Sequence, residues 1–340
     1  MNFDWRETSV VVTGGTGTFG NEAVRQILAL GAMRVVVFSR DELKQAHMLS
    51  ALRAEGQDVD RVRFFLGDVR DSHRLLRAFR GAHVVLHAAA LKHVPACEYN
   101  PFEAVQTNVV GTKNVIEAAI DENVRWVIGL STDKAVAPIN LYGATKLCSE
   151  KLLVRGNAYS GLAGARFAVV RYGNVFGSRG SVIETFLSQR AAGRLTLTDK
   201  SMTRFWITIQ SGVQFVLWAL QRMRGGETFV PRLPSVAVLD VAKACAPEAT
   251  YDVVGLRPGE KLHESLLSSA EVPRTRSLLG PGFIVEPESP AWGYAPWVTY
   301  PSANDALPLP LSSAESTWWL TVDEIRAWLA STCHHPQRSV

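Results

Sequence analysis

The chain has 340 residues, of which 47% are hydrophobic and 20% charged, with a formal net charge of +4. This is the composition of an ordinary globular protein, long enough for one large domain or a domain with an appended lobe. The small, dispersed charge argues against nucleic acid as a partner. Residues 1–7 lack the basic and apolar regions of a signal peptide, and no apolar stretch reaches the roughly 20 residues that span a bilayer. Cys97, Cys148, Cys245 and Cys333 are scattered without paired spacing, so neither a disulfide framework nor a metal site is expected, and the cytoplasm is the expected compartment.

Six near-continuous apolar runs, 9–12, 34–38, 62–66, 83–88, 124–130 and 166–171, are each followed by room for a crossover helix. Val/Ile/Leu runs without alternation fit parallel strands covered on both faces, which predicts an α/β fold with a doubly wound parallel sheet. The first run leads into Thr13-Gly14-Gly15-Thr16-Gly17-Thr18-Phe19-Gly20 and then the helical pattern Ala23, Val24, Ile27, Leu28. A glycine-rich turn between strand and helix lets a pyrophosphate approach the backbone, and the helix N-terminus offers free N–H groups. The T-G-x-x-G-x-x-G spacing is the form used by short-chain dehydrogenase/reductase proteins, and it makes Gly14, Thr16, Gly17, Thr18, Phe19 and Gly20 candidate cofactor residues.

The second run ends in Ser39-Arg40-Asp41-Glu42, with Lys44 close behind. An acidic residue ending this strand would hold the ribose 2′-hydroxyl of NAD; Ser39 and Arg40 stand there instead, so a 2′-phosphate can be accepted. NADP is favoured, NAD stays open, and Asp41 is either a helix N-cap or a ribose ligand. Asp68 and Val69 end the third run, where the adenine is covered in such folds. Ala88, Ala89 and Ala90 end the fourth, where small side chains let a dinucleotide lie against the backbone. His87 reads as a packed core histidine.

Tyr142 and Lys146, at i and i+4, point to one face of a predicted helix, and Ser131-Thr132-Asp133-Lys134 closes the fifth run. A lysine ammonium beside a phenol lowers the phenol's pKa and can hold a nicotinamide ribose. The phenol can then take the proton of a substrate alcohol while hydride leaves the carbon. After residue 172 the clean alternation of strand and helix stops. A short strand at 195–198, an apolar helix near 210–223, an irregular proline-rich segment at 284–312 and a last amphipathic helix carrying Val322, Ile325, Trp328 and Leu329 are expected. The predicted organisation is a dinucleotide-binding domain at 1–171 that includes the Tyr/Lys site. A smaller, mainly substrate-binding lobe at 172–330, partly returning to the first domain, would follow, with a disordered tail at 331–340.

The local sequence then resembles a family. Ser39-Arg40-Asp41-Glu42-Leu43-Lys44, Ala89-Ala90-Leu91-Lys92-His93-Val94-Pro95, Thr107-Asn108, Ser131-Thr132-Asp133-Lys134-Ala135 and Pro138–Lys146 are similar to the soluble, inverting UDP-N-acetylglucosamine 4,6-dehydratases of the pseudaminic acid pathway. The likeness continues through Arg171–Val175, Gly177–Val182, Met202–Thr208 and Gly255–Lys261, and so spans roughly residues 8–265. These are extended short-chain dehydrogenase/reductases with a Rossmann sheet and a smaller C-terminal substrate lobe.

The resemblance implies a lyase that dehydrates its sugar by internal redox. Tyr142, with Lys146 and Thr132, would take the C4 hydroxyl proton while NADP⁺ takes the C4 hydride. Lys134, neutral through desolvation, would remove the proton at C5, Asp133 would protonate the departing C6 hydroxyl, and NADPH would return hydride to C6. The Asp-Lys pair with Tyr142 resembles the inverting kind; retaining relatives carry Thr-Asp-Glu, or Thr-Asp-Lys with Met at the tyrosine position. Lys92 and Asn108 join the implied cofactor set. Lys92, His93, Asn174, Ser181, Val182, Thr196 and Glu260 fall where relatives contact the sugar, ribose or uridine, and Arg204 and Arg257 are the candidates for the diphosphate. Glu184 departs from the usual Ile-Pro and would be unfavourable beside an anionic diphosphate unless it points away, which leaves the exact nucleotide sugar open. The expected partners are UDP-N-acetylglucosamine or a close UDP-sugar and further copies of the chain, as a dimer or higher homo-oligomer. A 5,6-dehydratase, a 4-epimerase and a non-catalytic cofactor-binding protein are the alternatives.

Overall fold

The computed structural model describes residues 3–162, 164–178, 180–277, 281–288, 292–297 and 312–333. Strands β1 (Ser9–Thr13), β2 (Arg34–Ser39), β3 (Val62–Leu66), β4 (Val84–His87), β5 (Trp126–Thr132) and β6 (Arg166–Tyr172) match the six apolar runs to within two residues at either end. They pair in parallel in the order β3-β2-β1-β4-β5-β6, with the crossover point between β1 and β4. Ligands in such sheets bind beyond the strand C-termini at that point.

Helices α1 (Thr18–Ala29), α2 (Glu42–Ala54), α3 (Ser72–Phe79), the short α4 (Val94–Tyr99) and α5 (Pro101–Val105), α6 (Gly111–Asp121) and α7 (Leu141–Ser160) fill the connections. A π-helical turn at Gln106–Val110 joins α5 to α6. Asp41, Asp71 and Asn140 cap α2, α3 and α7 by accepting backbone N–H bonds. The apolar runs are continuous because both faces of the sheet are covered. Val10 and Val12 enter one core with Ile27 and Leu28 of α1, whereas Val11 enters the other with Leu75 and Phe79 of α3 and Val115 of α6. Each fully buried aliphatic side chain contributes about 2 kcal/mol.

The remainder comprises β7 (Asn174–Val175), α8 (Val182–Gln189), β8 (Arg194–Leu197), β9 (Thr203–Ile207), α9 (Ile209–Leu220), β10 (Thr228–Pro231), β11 (Ser235–Ala237), α10 (Val238–Cys245), β12 (Thr250–Val253), β13 (Thr275–Ser277), β14 (Gly282–Val285) and α11 (Val322–Cys333). A third core, with Phe176, Ile183, Phe186, Leu195, Trp206, Val241 and Ile325, gathers most of these elements. Strand β10 adds to β6 in parallel, and β14 and β13 follow antiparallel, so the chain after 172 also extends the first sheet.

The expectation of an irregular segment from 284 fails at its start, because Phe283, Ile284 and Val285 bury against β10 as strand β14. Residues 289–291 and 298–311 of that segment, and 334–340 of the expected disordered tail, lie outside the described residues; α11 runs on to Cys333. Among the described residues no helix is long and apolar enough to cross a membrane.

Candidate active site

The end of β5 carries Ser131 and Thr132 directly into a 3₁₀ turn, Asp133–Ala135, which sets Asp133 and Lys134 at the C-terminal edge of the sheet. Helix α7 presses on this turn: a Cβ at Gly143 would stand 2.1 Å from the Lys134 carbonyl oxygen, so only glycine allows the approach. Asn140 fixes the helix start by accepting the Gly143 N–H at 2.7 Å and donating to the Gly259 carbonyl at 2.8 Å. Tyr142, in the first turn of α7, is thereby held over Thr132–Lys134.

Asp133 is fully buried. Its Oδ1 accepts from Thr132 Oγ1 at 3.0 Å and from Lys134 Nζ at 3.0 Å, while Oδ2 is buried with no hydrogen-bond partner among the described residues. Lys134 Nζ also meets Glu264 Oε1 at 3.3 Å and Asn174 Oδ1 at 3.4 Å. This corrects the expectation of a neutral Lys134. Burial works against its charge, but Asp133 and Glu264 outweigh burial and raise its pKa, so the resting side chain is an ammonium. Tyr142 differs too. Burial pushes its phenol up to about 12, and the cation that pulls it back is Lys134, with help from Thr132, rather than Lys146. Lys146 is itself drawn down to about 8 by burial, with Glu150 opposing. His87 sits in the core as expected, between Thr13 Oγ1 at 2.8 Å and Thr112 Oγ1 at 3.1 Å, and burial followed by Lys146 takes it down to about 3.

The glycine turn packs on the end of β4. Gly14 has φ +67°, and a Cβ there would fall 2.8 Å from the Ala89 nitrogen. Ala88 and Ala89 donate their N–H groups to the carbonyl and the Oγ1 of Thr13, at 3.1 and 3.3 Å. Helix α1 begins after Gly17 with no side-chain cap, and half-buried Thr16 and exposed Gly17 and Thr18 lie above buried Phe19 and Gly20. A closely packed glycine turn below an uncapped helix start fits a pyrophosphate.

At the far end of this cleft Ser39 is buried, its Oγ accepting from Gln45 Nε2 at 2.9 Å. Arg40 lies 3.4 Å from Asp68 Oδ2, and Arg70 holds the same oxygen at 2.7 Å. Asp41 resolves as the N-cap of α2, and it also pairs with Lys44 at 2.6 Å, so Lys44 is engaged with its own helix start. Val69 is buried against Gly111. Asn108, expected at the cofactor, has its whole amide engaged: Nδ2 donates to the Leu91 carbonyl and Thr145 Oγ1, and Oδ1 accepts the Leu91 N–H. It ties the Ala88–Leu91 turn to α7.

The sequence pattern of the family described as polysaccharide biosynthesis protein matches residues 10–280. The UDP-N-acetylglucosamine 4,6-dehydratase (inverting) of Campylobacter jejuni subsp. jejuni serotype O:2 is 48% identical over 268 residues, 78% of this chain and 79% of that protein. The chain belongs to this polysaccharide biosynthesis family. A UDP-glucose 4-epimerase of Rickettsia rickettsii (strain Sheila Smith) is 41% identical over 80% of this chain and 81% of its own. The X-ray structure of Pen from Bacillus thuringiensis superposes with a TM-score of 0.85 at 33% identity, covering 97% of this chain and 100% of that one. The family's extended short-chain dehydrogenase/reductase fold is the one the glycine turn and the strand pattern predicted.

On the lobe side of this family member, Asn174 is brought to Lys134, and Arg257 is exposed. Arg204 departs from the expectation of an open phosphate arm. It is buried, donates to the carbonyls of Thr203, Leu262 and Lys261 at 2.7, 3.0 and 2.9 Å, and lies 3.7 Å from Glu260, so it braces the segment 260–262. Ser181 precedes Val182 at the start of α8, its Oγ buried without a partner among the described residues. Thr196 bonds to Gln189 across β8 and α8, away from the Asp133 cluster's own hydrogen bonds to Thr132 and Lys134. Lys92 and His93 are exposed, and His93 caps α4. Glu184 accepts the Gly180 N–H at 2.7 Å, turned back on its own loop. Two residues were missed from sequence. Glu264 and Lys261 approach Lys134 and the Val136 carbonyl respectively; Lys261 closes the Gly255–Lys261 motif without having been singled out, and Glu264 lies three residues beyond it.

Proposed function

We propose that this protein performs the 4,6-dehydration of UDP-N-acetylglucosamine with inversion at C5, giving UDP-2-acetamido-2,6-dideoxy-β-L-arabino-hex-4-ulose. The observation that carries the reading is the pair of buried Asp133 and half-buried Lys134, 3.0 Å apart beneath Tyr142. Elimination of water needs an acid and a base close together, beside a group that takes a hydroxyl proton. Identity with the Campylobacter relative supports the choice of sugar.

Gly14, Thr16, Gly17, Thr18, Phe19 and Gly20 would hold a dinucleotide's pyrophosphate, and Ser39, Arg40 and Asp68–Val69 its adenosine, with NADP preferred. Ala88–Ala90 would lie along it, and Tyr142 and Lys146 would reach its nicotinamide ribose. When bound, such a cofactor supplies a hydride acceptor and, later, a hydride donor. Tyr142 takes the C4 hydroxyl proton, and the resulting ketone acidifies the C5 proton. Passage of one proton along the 3.0 Å Lys134–Asp133 contact turns ammonium and carboxylate into amine and carboxylic acid. The amine then removes the C5 proton while the acid protonates the leaving C6 hydroxyl, which restores the ion pair. Asn174, Ser181, Val182, Thr196, Arg257 and Glu260, with Lys92 and His93, would line the nucleotide-sugar side. The same reading divides the chain into a cofactor-binding part at 1–171 and a mainly substrate-binding part at 172–330, in a cytoplasmic homo-oligomer.

The Rickettsia relative favours one other reading, a 4-epimerase, in which Tyr142 acts alike but Asp133 and Lys134 have no task. Proton NMR of UDP-N-acetylglucosamine incubated with the protein and NADP⁺ in D₂O separates them. A 6-deoxy-4-keto sugar with deuterium at an inverted C5 is expected; a C4 epimer or a C5–C6 alkene would overturn the reading.

A further inference from the structure

Glu264 belongs to none of the motifs that marked the site, yet its carboxylate enters the centre of it. The residue is 2% exposed. Its Oε1 stands 3.3 Å from Lys134 Nζ, and its Oε2, buried without a hydrogen-bond partner among the described residues, lies 3.7 Å from Lys261 Nζ. The backbone around it is fixed from two sides. Ser313 Oγ accepts the Glu264 N–H at 3.0 Å and the Glu264 carbonyl accepts the Ser313 N–H at 2.8 Å, while Ser313 Oγ also meets Thr203 Oγ1 at 2.7 Å.

An ammonium has three N–H donors, and Lys134 meets three acceptors: Asp133 Oδ1, Glu264 Oε1 and Asn174 Oδ1. Asp133 comes from the turn that carries Lys134 itself, but Glu264 and Asn174 come from the part of the chain after residue 172. The position of the amine is therefore set from both sides of the cleft. The other titratable groups acting on Glu264 are Asp133, Arg204 of β9 and Lys261 of its own segment. Arg204 contributes field rather than a hydrogen bond, since its donors go to backbone carbonyls.

We propose that Glu264 is a positioning residue for Lys134, holding its amine against Asp133 and governing by its charge how firmly the Asp133–Lys134 pair keeps its proton. The inference rests on the dehydratase reading above. Burial and the nearby Asp133 raise the carboxyl of Glu264, with Lys134, Arg204 and Lys261 pulling the other way, while Lys134 is raised by Asp133 and Glu264 against burial. These directions compete for one proton; the three acceptors around Nζ place it on Lys134. Removing the Glu264 charge then loosens it, so the pair deprotonates at lower pH and its alkaline limit of action moves down.

The test is Glu264→Gln, read in three ways on the full chain with NADP⁺ and UDP-N-acetylglucosamine. C4 oxidation, seen as the 340 nm transient of a single turnover, should fall less than dehydration does, because Glu264 reaches Tyr142 only through Lys134. Dehydration should slow roughly 10- to 100-fold, with its alkaline limb moved to lower pH by about one unit or more. Glu264→Asp should lie between the two, and it decides the matter if the glutamine variant does not fold. A pH profile superimposable on wild type, or equal losses in C4 oxidation and dehydration, would overturn the proposal. Absence of any 4-keto product from wild type would sink the dehydratase reading instead, before the variants are compared.

Discussion

Arg171 lays its guanidinium along both oxygens of Glu150, Nε to Oε1 at 3.0 Å and Nη2 to Oε2 at 2.6 Å, and is itself 1% exposed. Its outer edge binds Glu271 at 3.0 and 2.8 Å and the Leu266 carbonyl at 2.9 Å. The arginine thus joins helix α7, one turn beyond Lys146, to the segment of residues 266–271. Breaking a buried ion network leaves carboxylates without a partner, which costs about 3–5 kcal/mol.

Arg171→Met should therefore lower the urea-unfolding free energy by about that amount at pH 7. Its effect should fade in acid. Burial opposes the charge of Glu271, but Arg171 outweighs it and holds the carboxyl near 2, well below the usual glutamate value. A depressed carboxylate contributes stability above its unfolded pKa, which is lost as pH falls through the folded one, here from about 4.5 towards 2. A cost that stayed constant across that window would show that Glu271 does not take its charge state from Arg171.

Lys146 carries the opposite sign. Burial draws its pKa to about 8, against 10.5 for an exposed lysine. The folded state therefore resists its charge, and the penalty is present below about 8 and relieved as pH rises towards 10.5. Lys146→Met should raise stability at pH 7 by up to about 3 kcal/mol while abolishing turnover, and the gain should vanish by pH 10.5. Thermal melts of the two proteins across that range check it; a variant less stable than wild type at pH 7 would contradict the burial argument.

These charges mark the limit of what was legible in the residues alone. The six strands could be read because a parallel strand covered on both faces must be apolar throughout, and Val10-Val11-Val12 divides between two cores. Strand β14 could not, since Phe283–Val285 is short, lies among prolines and owes its conformation to pairing with β10. Tyr142 and Lys146 were legible from helical spacing, and Asp133–Lys134 from their place at a strand end. The roles of Arg204 and Glu264 were not, because an arginine that braces carbonyls has the same letter as one that meets a phosphate. Nor does any periodicity announce a carboxylate buried 130 positions from the lysine it binds (Lys134 to Glu264). The charge state of Lys134 was misjudged for the same reason: burial was foreseeable and the second carboxylate was not.

Gly14 offers a test confined to the cofactor cleft. At φ +67° an alanine is strained, and its Cβ would sit 2.8 Å from the Ala89 nitrogen, a backbone atom that cannot swing aside. Gly14→Ala should push the glycine turn off the Ala88–Ala89 backbone and weaken dinucleotide binding at least about tenfold by fluorescence titration, with a stability loss of about 1–3 kcal/mol. Unchanged affinity would mean that the dinucleotide does not rest on this turn.

Selectivity between the two nicotinamide dinucleotides turns on Arg40. Its side chain is about half exposed, 3.4 Å from Asp68, and Arg70 already neutralises that carboxylate at 2.7 Å. A half-exposed ion pair contributes at most about 1 kcal/mol, so Arg40 is released to a ligand at small cost. A 2′-phosphate offers it charge-assisted hydrogen bonds worth about 1.5–3 kcal/mol each. Lys44 is less available, because Asp41 holds it at 2.6 Å while also capping α2. Arg40→Ala should therefore weaken NADPH binding about tenfold or more and leave NADH binding within about twofold, as read by isothermal titration. Lys44→Ala should affect NADPH less than Arg40→Ala does. Equal loss of both dinucleotides in Arg40→Ala would remove the argument for a 2′-phosphate site and leave NAD as the cofactor these residues fit.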